Sequence, residues 1–264
     1  MCTNAHSMGN KQEELEVMGQ QQSCDVVAIA EMWWDDSHSW STALGGYKLF
    51  RRDRKGRRGA GVALYIKKAF DTIGIETNED GVECIWVRIK GRANKADILL
   101  GVCYCPPNQE EEVDNLFYEQ LETVSESSAL VLVGDFNLPN ICWELNTAEK
   151  RQSRQFSECM DVNFLLQLVG EPTRGGTMLY LLFTNRDGLV GDVVVGGQLG
   201  QSDHEIREFS IIGEIRKYTN KTLTLDFQRE DFGLFKRLIQ RVHEKQPLKT
   251  KEFKKPGCSS KQRF

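Results

Sequence analysis

Apolar residues run without interruption from Ala129 to Val133 and stop at Gly134, just ahead of two polar side chains, Asp135 and Asn137. An apolar run with no alternation predicts a strand buried on both faces. Side chains two apart along a strand point the same way, so a carboxylate and an amide are expected to converge at the strand end. Such a pair suits a phosphate and a metal-bound water. An ordinary strand-to-turn junction reads equally well from this stretch alone, because Asp and Asn favour turns.

The same reading extends along the chain. Asn10, with Glu13 three residues on, predicts a capped helix running to about Gln22. Cys24 to Ala30 predicts a buried strand ending at Glu31, with Trp33, Trp34 and Trp40 close by. Strands at Tyr47 to Phe50, Gly61 to Ile66, Val82 to Ile89 and Asp97 to Tyr104 follow at the spacing of an antiparallel meander. Asn108 and Glu111 cap a helix in which Val113, Leu116, Phe117, Leu121 and Val124 recur at helical spacing. A further helix from Gln152 to Leu166, an apolar segment from Met178 to Thr184 and strands at Asp192 to Val195 and Ile206 to Ile212 complete the pattern. Helices alternating with strands, beside an antiparallel meander, predict an α+β fold with two facing sheets flanked by helices.

Composition narrows the class. The 264 residues and 40% apolar content suit one large domain with a sizeable core. No stretch approaches the roughly 18 apolar residues of a membrane span, so an intracellular protein, nuclear or cytoplasmic, is expected. The eight cysteines show none of the paired spacings of a zinc site and are expected to be reduced thiols. A net charge of −4 does not advertise nucleic-acid binding, which must then rest on local patches. Six of the eight residues from Arg51 to Arg58 are basic, either a solvated hairpin tip or a phosphate-contacting loop. Residues 1–215 are read as the domain, and 216–264 as a basic, disordered tail.

Ser202, Asp203 and His204 lie in a strand-flanking loop and combine groups that hydrolysis at phosphorus requires. Asn4, Glu31, Tyr104, Asp135 and Asn137 each stand at or near the end of a predicted strand. With these residues the chain resembles the endonuclease/exonuclease/phosphatase superfamily, which includes pancreatic deoxyribonuclease and the apurinic-site endonucleases. It is most similar to the endonuclease domain of vertebrate LINE-type retrotransposons of the chicken-repeat class. The matching motifs are the Thr3 to Glu14 segment, Ala28-Ile-Ala-Glu-Met-Trp-Trp-Asp-Asp36, Val102-Cys-Tyr-Cys-Pro-Pro-Asn108, Leu132-Val-Gly-Asp-Phe-Asn-Leu-Pro139, Glu171-Pro-Thr-Arg174 and Ser202-Asp-His204.

The resemblance implies a four-layer α/β sandwich whose strand-end loops carry the site. Glu31 would hold Mg²⁺ or Mn²⁺ with Asn4 beside it, in keeping with a hard cation's preference for oxygen. Asp135 would activate water, Asn137 and Tyr104 would hold the phosphate, and His204 would stabilise the pentacovalent phosphorus, supported by Ser202 and Asp203. Thr173 would line a DNA groove, and Arg51, Arg52, Arg54, Arg57 and Arg58 would contact its phosphates. Three positions depart from the family: Tyr180 replaces the Asp that orients the catalytic His, Cys105 replaces an Arg, and Gln201 replaces a His. Only three residues precede Asn4, so a clipped first strand is expected. These features imply a retroelement-derived endonuclease that nicks DNA with reduced activity. A catalytically inactive nucleic-acid-binding remnant and a phosphatase acting on a small molecule are the alternatives. No protein partner can be inferred.

Overall fold

The computed structural model describes residues 1–34, 42–54, 60–77, 81–91, 96–172, 176–191 and 193–213. The chain divides into two units, Met1–Lys217 and Tyr218–Phe264. The described residues all fall in the first unit, and the expected basic tail lies outside them.

Fourteen strands and three helices make up the described part, in the order β1 (Cys2–Asn4), α1 (Gln12–Gln21), β2 (Val26–Ala30), β3 (Tyr47–Arg52), β4 (Val62–Lys67), β5 (Thr72–Ile75), β6 (Glu83–Ile89), β7 (Ile98–Tyr104), α2 (Glu111–Ser125), β8 (Leu130–Asp135), β9 (Ile141–Cys142), β10 (Thr147–Ala148), α3 (Arg151–Val162), β11 (Leu166–Gln167), β12 (Tyr180–Thr184), β13 (Val194–Gln198) and β14 (Glu205–Glu208). Two six-stranded sheets result, ordered β13-β14-β1-β2-β4-β3 and β11-β12-β8-β7-β6-β5. Each is antiparallel apart from one central parallel pair, β1 with β2 and β7 with β8.

Burial on both strand faces produces four layers. Alternate residues of the central strands, among them Ala28, Leu64, Val102, Val131 and Val133, fill the space between the sheets. The intervening Leu130 and Leu132 face outward against Phe117, Leu121, Phe156 and Met160 of α2 and α3. Val27, Ile29, Ala63 and Tyr65 likewise cover Leu15 of α1 on the other side. The uninterrupted apolar run in β8 is thus explained by two apolar environments rather than one.

Several expectations are corrected. The strands from Tyr47 to Tyr104 are not one meander: β3 and β4 join β2, whereas β5, β6 and β7 belong to the facing sheet. The chain changes sheets after Lys67, and β5, with its partly exposed residues and internal Gly74, carries too weak an alternation to be read. Neither expected cap forms, since α1 starts after Lys11 and α2 after Glu110, both without side-chain capping. Strand β1 is three residues long and lies inside the sheet, parallel to β2 and antiparallel to β14.

The cysteines are corrected too. Cys84 and Cys103 face each other in the β6–β7 register and form a disulfide, with Cα atoms 4.2 Å apart. They are 19 residues apart in sequence, so only the register reveals the pair. Gly134 shows a second close approach: a Cβ there would sit 2.2 Å from the Cys103 carbonyl oxygen on β7, so no side chain fits. Among the described residues no helix is long and apolar enough to cross a membrane.

Candidate active site

The carboxyl ends of the two parallel pairs point to one place. Asn4 ends β1, Glu31 follows β2, Tyr104 ends β7 and Asp135 ends β8. Asp135 is fully buried and accepts a hydrogen bond from Asn4 Nδ2 at 2.7 Å across the two sheets. Its other carboxylate oxygen accepts the Asn137 backbone N–H at 3.2 Å. His204, also buried, brings Nε2 to 3.8 Å from Asp135 and 3.7 Å from Asp203. Loss of hydration raises the Asp135 pKa, against the opposing pull of Asn4, His204 and the Asn137 amide.

Ser202 clamps this corner. Its hydroxyl donates to the Asn4 carbonyl at 2.7 Å and accepts the His204 backbone N–H at 3.2 Å. The 202–204 loop is thereby fastened to the end of β1, so that imidazole and carboxylate are held by the same strand end.

Across the floor, the Tyr104 hydroxyl donates to Glu31 Oε1. Burial and the surrounding Glu31, Asp135 and Glu83 charges push the phenol's pKa well up. Glu83 was not anticipated. It stands directly opposite Tyr104 in the β6–β7 register, is buried, accepts the Gly61 N–H at 2.7 Å and pairs with Arg54 at 3.1 Å. Burial raises its pKa first, with Glu31 adding to the rise. A carboxylate at the start of an apolar strand was a usable signal, the counterpart of the strand-end position that singled out Glu31. His6 was also missed; its Nδ1 lies 3.6 Å from Glu31 Oε2.

Not every expected group behaves as the strand pattern implied. Asn137 lies beyond β8 with φ +48°, so pleat alternation does not set its direction, and its amide donates to the Cys105 carbonyl at 2.8 Å. Asn4 Oδ1 accepts the His6 N–H at 2.8 Å. Arg51 pairs with Asp53, Arg52 donates to Thr77 at 2.7 Å and Arg54 is held by Glu83. These three arginines are tied into the fold; Arg57, Arg58 and Thr173 lie outside the described residues. Gln201 is exposed. Cys105 packs behind Asn137, its thiol pKa raised by burial. Tyr180 does not swing out to solvent. It is buried between the sheets, opposite Asp135 in the β8–β12 register, with its phenol against the Cys2 thiol.

Among the described residues no three His, Cys, Asp or Glu gather as a metal cluster. The donor set still fits Mg²⁺, which keeps several waters and needs only one or two carboxylates when substrate phosphate supplies the rest. Glu31, Glu83 and Asp135 also crowd negative charge around Tyr104, an arrangement that a cation would offset.

The sequence model of the Endonuclease/Exonuclease/phosphatase family matches residues 4–204. No curated protein matches the chain. Among solved structures, the endonuclease domain of TRAS1, a telomere-specific non-LTR retrotransposon, is 18% identical with a TM-score of 0.64, covering 82% of this chain and 98% of that one. A 3′ phosphatase from Neisseria, bound to a product DNA hairpin, is 15% identical with a TM-score of 0.60, covering 80% and 98%. An AP endonuclease from Archaeoglobus fulgidus is 14% identical with a TM-score of 0.54, again covering 80% and 98%. These likenesses establish the shared α/β sandwich.

Proposed function

The chain belongs to the Endonuclease/Exonuclease/phosphatase family, and on that premise we propose that it is a divalent-cation-dependent phosphodiesterase of retroelement type that nicks DNA inside the cell. The observation that carries the reading is the buried Asp135, held by Asn4 and facing His204 at the end of β8. A carboxylate whose proton affinity is raised by burial is a better general base than an exposed one. Asp135 takes the proton of the attacking water, while Asn4 and the Asn137 N–H aim its oxygens. His204 Nε2, fixed through Ser202, meets the charge that develops on the phosphoryl oxygens, with Asp203 beside it. Tyr104 and Asn137 seat the phosphate. Glu31 would hold Mg²⁺ or Mn²⁺, with Asn4 alongside, and the ion would supply Lewis-acid charge at that phosphate.

Supercoiled-plasmid nicking, measured with Mg²⁺ and with EDTA beside a His204→Ala control, tests the proposal. Nicking that requires Mg²⁺ and His204 supports it. EDTA-resistant nicking, or equal rates in the control, overturns it. Hydrolysis of p-nitrophenyl phosphate without plasmid nicking would favour the phosphatase alternative.

Tyr180 supports a second reading, a nucleic-acid-binding protein with little catalysis. In the resembling nucleases an Asp at this position orients the histidine, and losing such a partner in a metal site costs roughly 10- to 100-fold. Tyr180→Asp is expected to raise the nicking rate per folded molecule at least about 10-fold. It should also lower stability by roughly 3–5 kcal/mol, as removal of a buried aromatic does, and the new carboxylate opposite Asp135 adds to that cost. Urea unfolding beside single-turnover nicking separates the two effects. An unchanged rate would shift the defect to Cys105.

A further inference from the structure

Trp33 is 44% exposed, whereas its neighbours Met32 and Trp34 are 0% and 8% exposed. The backbone enforces this difference. Glu31 and Trp33 adopt φ +52° and +55°, a conformation rare for bulky side chains. Backbone hydrogen bonds hold it, from Met32 N to the Gly61 carbonyl and from Trp33 N to the Ala60 carbonyl at 3.0 Å. The segment thus buries residues 32 and 34 and presents the indole between them outward. A strained backbone that exposes a large aromatic ring beside an acidic centre calls for a use.

His6 joins it from the neighbouring strand end. Because β1 and β2 run parallel in register, Asn4 opposite Ala30, the residues just beyond them emerge side by side. His6 also has positive φ, and its ring lies 5.3 Å from the Trp33 ring at 45°. The same imidazole touches Glu31 at 3.6 Å. Two exposed rings therefore border the carboxylate that grips Tyr104.

We propose that Trp33, flanked by His6, is a stacking platform for an unpaired nucleobase of the nucleotide at or next to the scissile phosphate. The inference rests on the nuclease reading and specifies how that site takes hold of its substrate. A flat π surface suits the aromatic rim that the two rings form. Base stacking on an aromatic side chain is sequence-tolerant, since every base offers a π face. Local strand opening at the site follows from this arrangement, because a base stacked within a duplex has no free face to offer.

The test is binding of single-stranded oligonucleotides carrying 2-aminopurine at successive positions, with Ca²⁺ in place of Mg²⁺, for the wild type and for Trp33→Ala, Trp33→Leu and Trp33→Phe. The wild type and Trp33→Phe should quench the probe at one position. Alanine and leucine should lose the quench and bind about 5- to 150-fold more weakly, the range that loss of one stacked base implies. The slope of log affinity against log salt should stay the same, because no phosphate contact is removed. Unchanged affinity and quenching in the alanine and leucine proteins, or a flattened salt slope, overturns the platform while leaving the nuclease reading intact. A wild type that neither binds nor nicks DNA removes both.

Discussion

Asp135→Asn is expected to lower the nicking rate by about 10²- to 10⁴-fold, the range that a positioned general base contributes, and at the same time to raise the resistance of the fold to urea. The two effects share one cause. Asp135 is buried where its charge is poorly hydrated, so its folded pKa lies above the ordinary carboxylate value. A group raised in this way favours the fold below its unfolded pKa, near about 3.9, and that contribution is lost as pH rises through the folded value. Above its folded pKa the wild type therefore carries an ionised carboxylate in an unfavourable place, and Asn carries none. The stability gap between the two proteins should widen as pH rises from the unfolded pKa through the raised folded value. The rate should fall on the acid side at a pH above that of an exposed Asp. A variant losing both activity and stability would mean that the hydrogen bonds from Asn4 and Asn137 outweigh the burial.

Glu31→Gln should reduce Mg²⁺-dependent nicking by more than about 100-fold, the upper end of the cost of losing a partner one step removed from a metal, since on the proposed reading the direct ligand is lost. The fold should survive. A glutamine Oε1 can still accept the Tyr104 hydroxyl, and the backbone bonds around Glu31 do not involve its side chain. Removing one negative charge from the group around Tyr104 also eases the upward pressure on Asp135 and Glu83, to which Glu31 contributes. The check is a Mg²⁺ titration of the rate beside circular dichroism. A variant that reaches the wild-type rate at high Mg²⁺ would assign Glu31 to cation affinity alone. Equal rates throughout would remove the cation from Glu31.

The buried strands were legible because burial on both faces leaves an uninterrupted apolar run, as in β8 and β2. Which sheet a strand joins was not, because the crossing after Lys67 is marked only by a short turn and by the weakly patterned β5. Glu31, Tyr104 and Asp135 were legible because each ends an apolar run, whereas Asn4 and His204 came from the motif resemblance; the structure brings the five together. Their partners were harder. The Asn4–Asp135 bond joins residues 131 apart, the Cys84–Cys103 bond depends on register, and Glu83 gains its meaning only from standing opposite Tyr104. Asn137 shows a different failure, where the expected convergence rested on a geometry the chain does not adopt, since its positive φ takes it out of the pleat.

Gly134 has a further consequence for the distance across the site. It pairs with Cys103 one step before Asp135 pairs with Tyr104, so the bare backbone contact at 134 acts as the spacer that gauges the gap between base and phenol. Even one methyl group there would work as a wedge. It would spread the two strands just where Asp135 and Tyr104 stand side by side, and so detune the proposed chemistry without touching either residue.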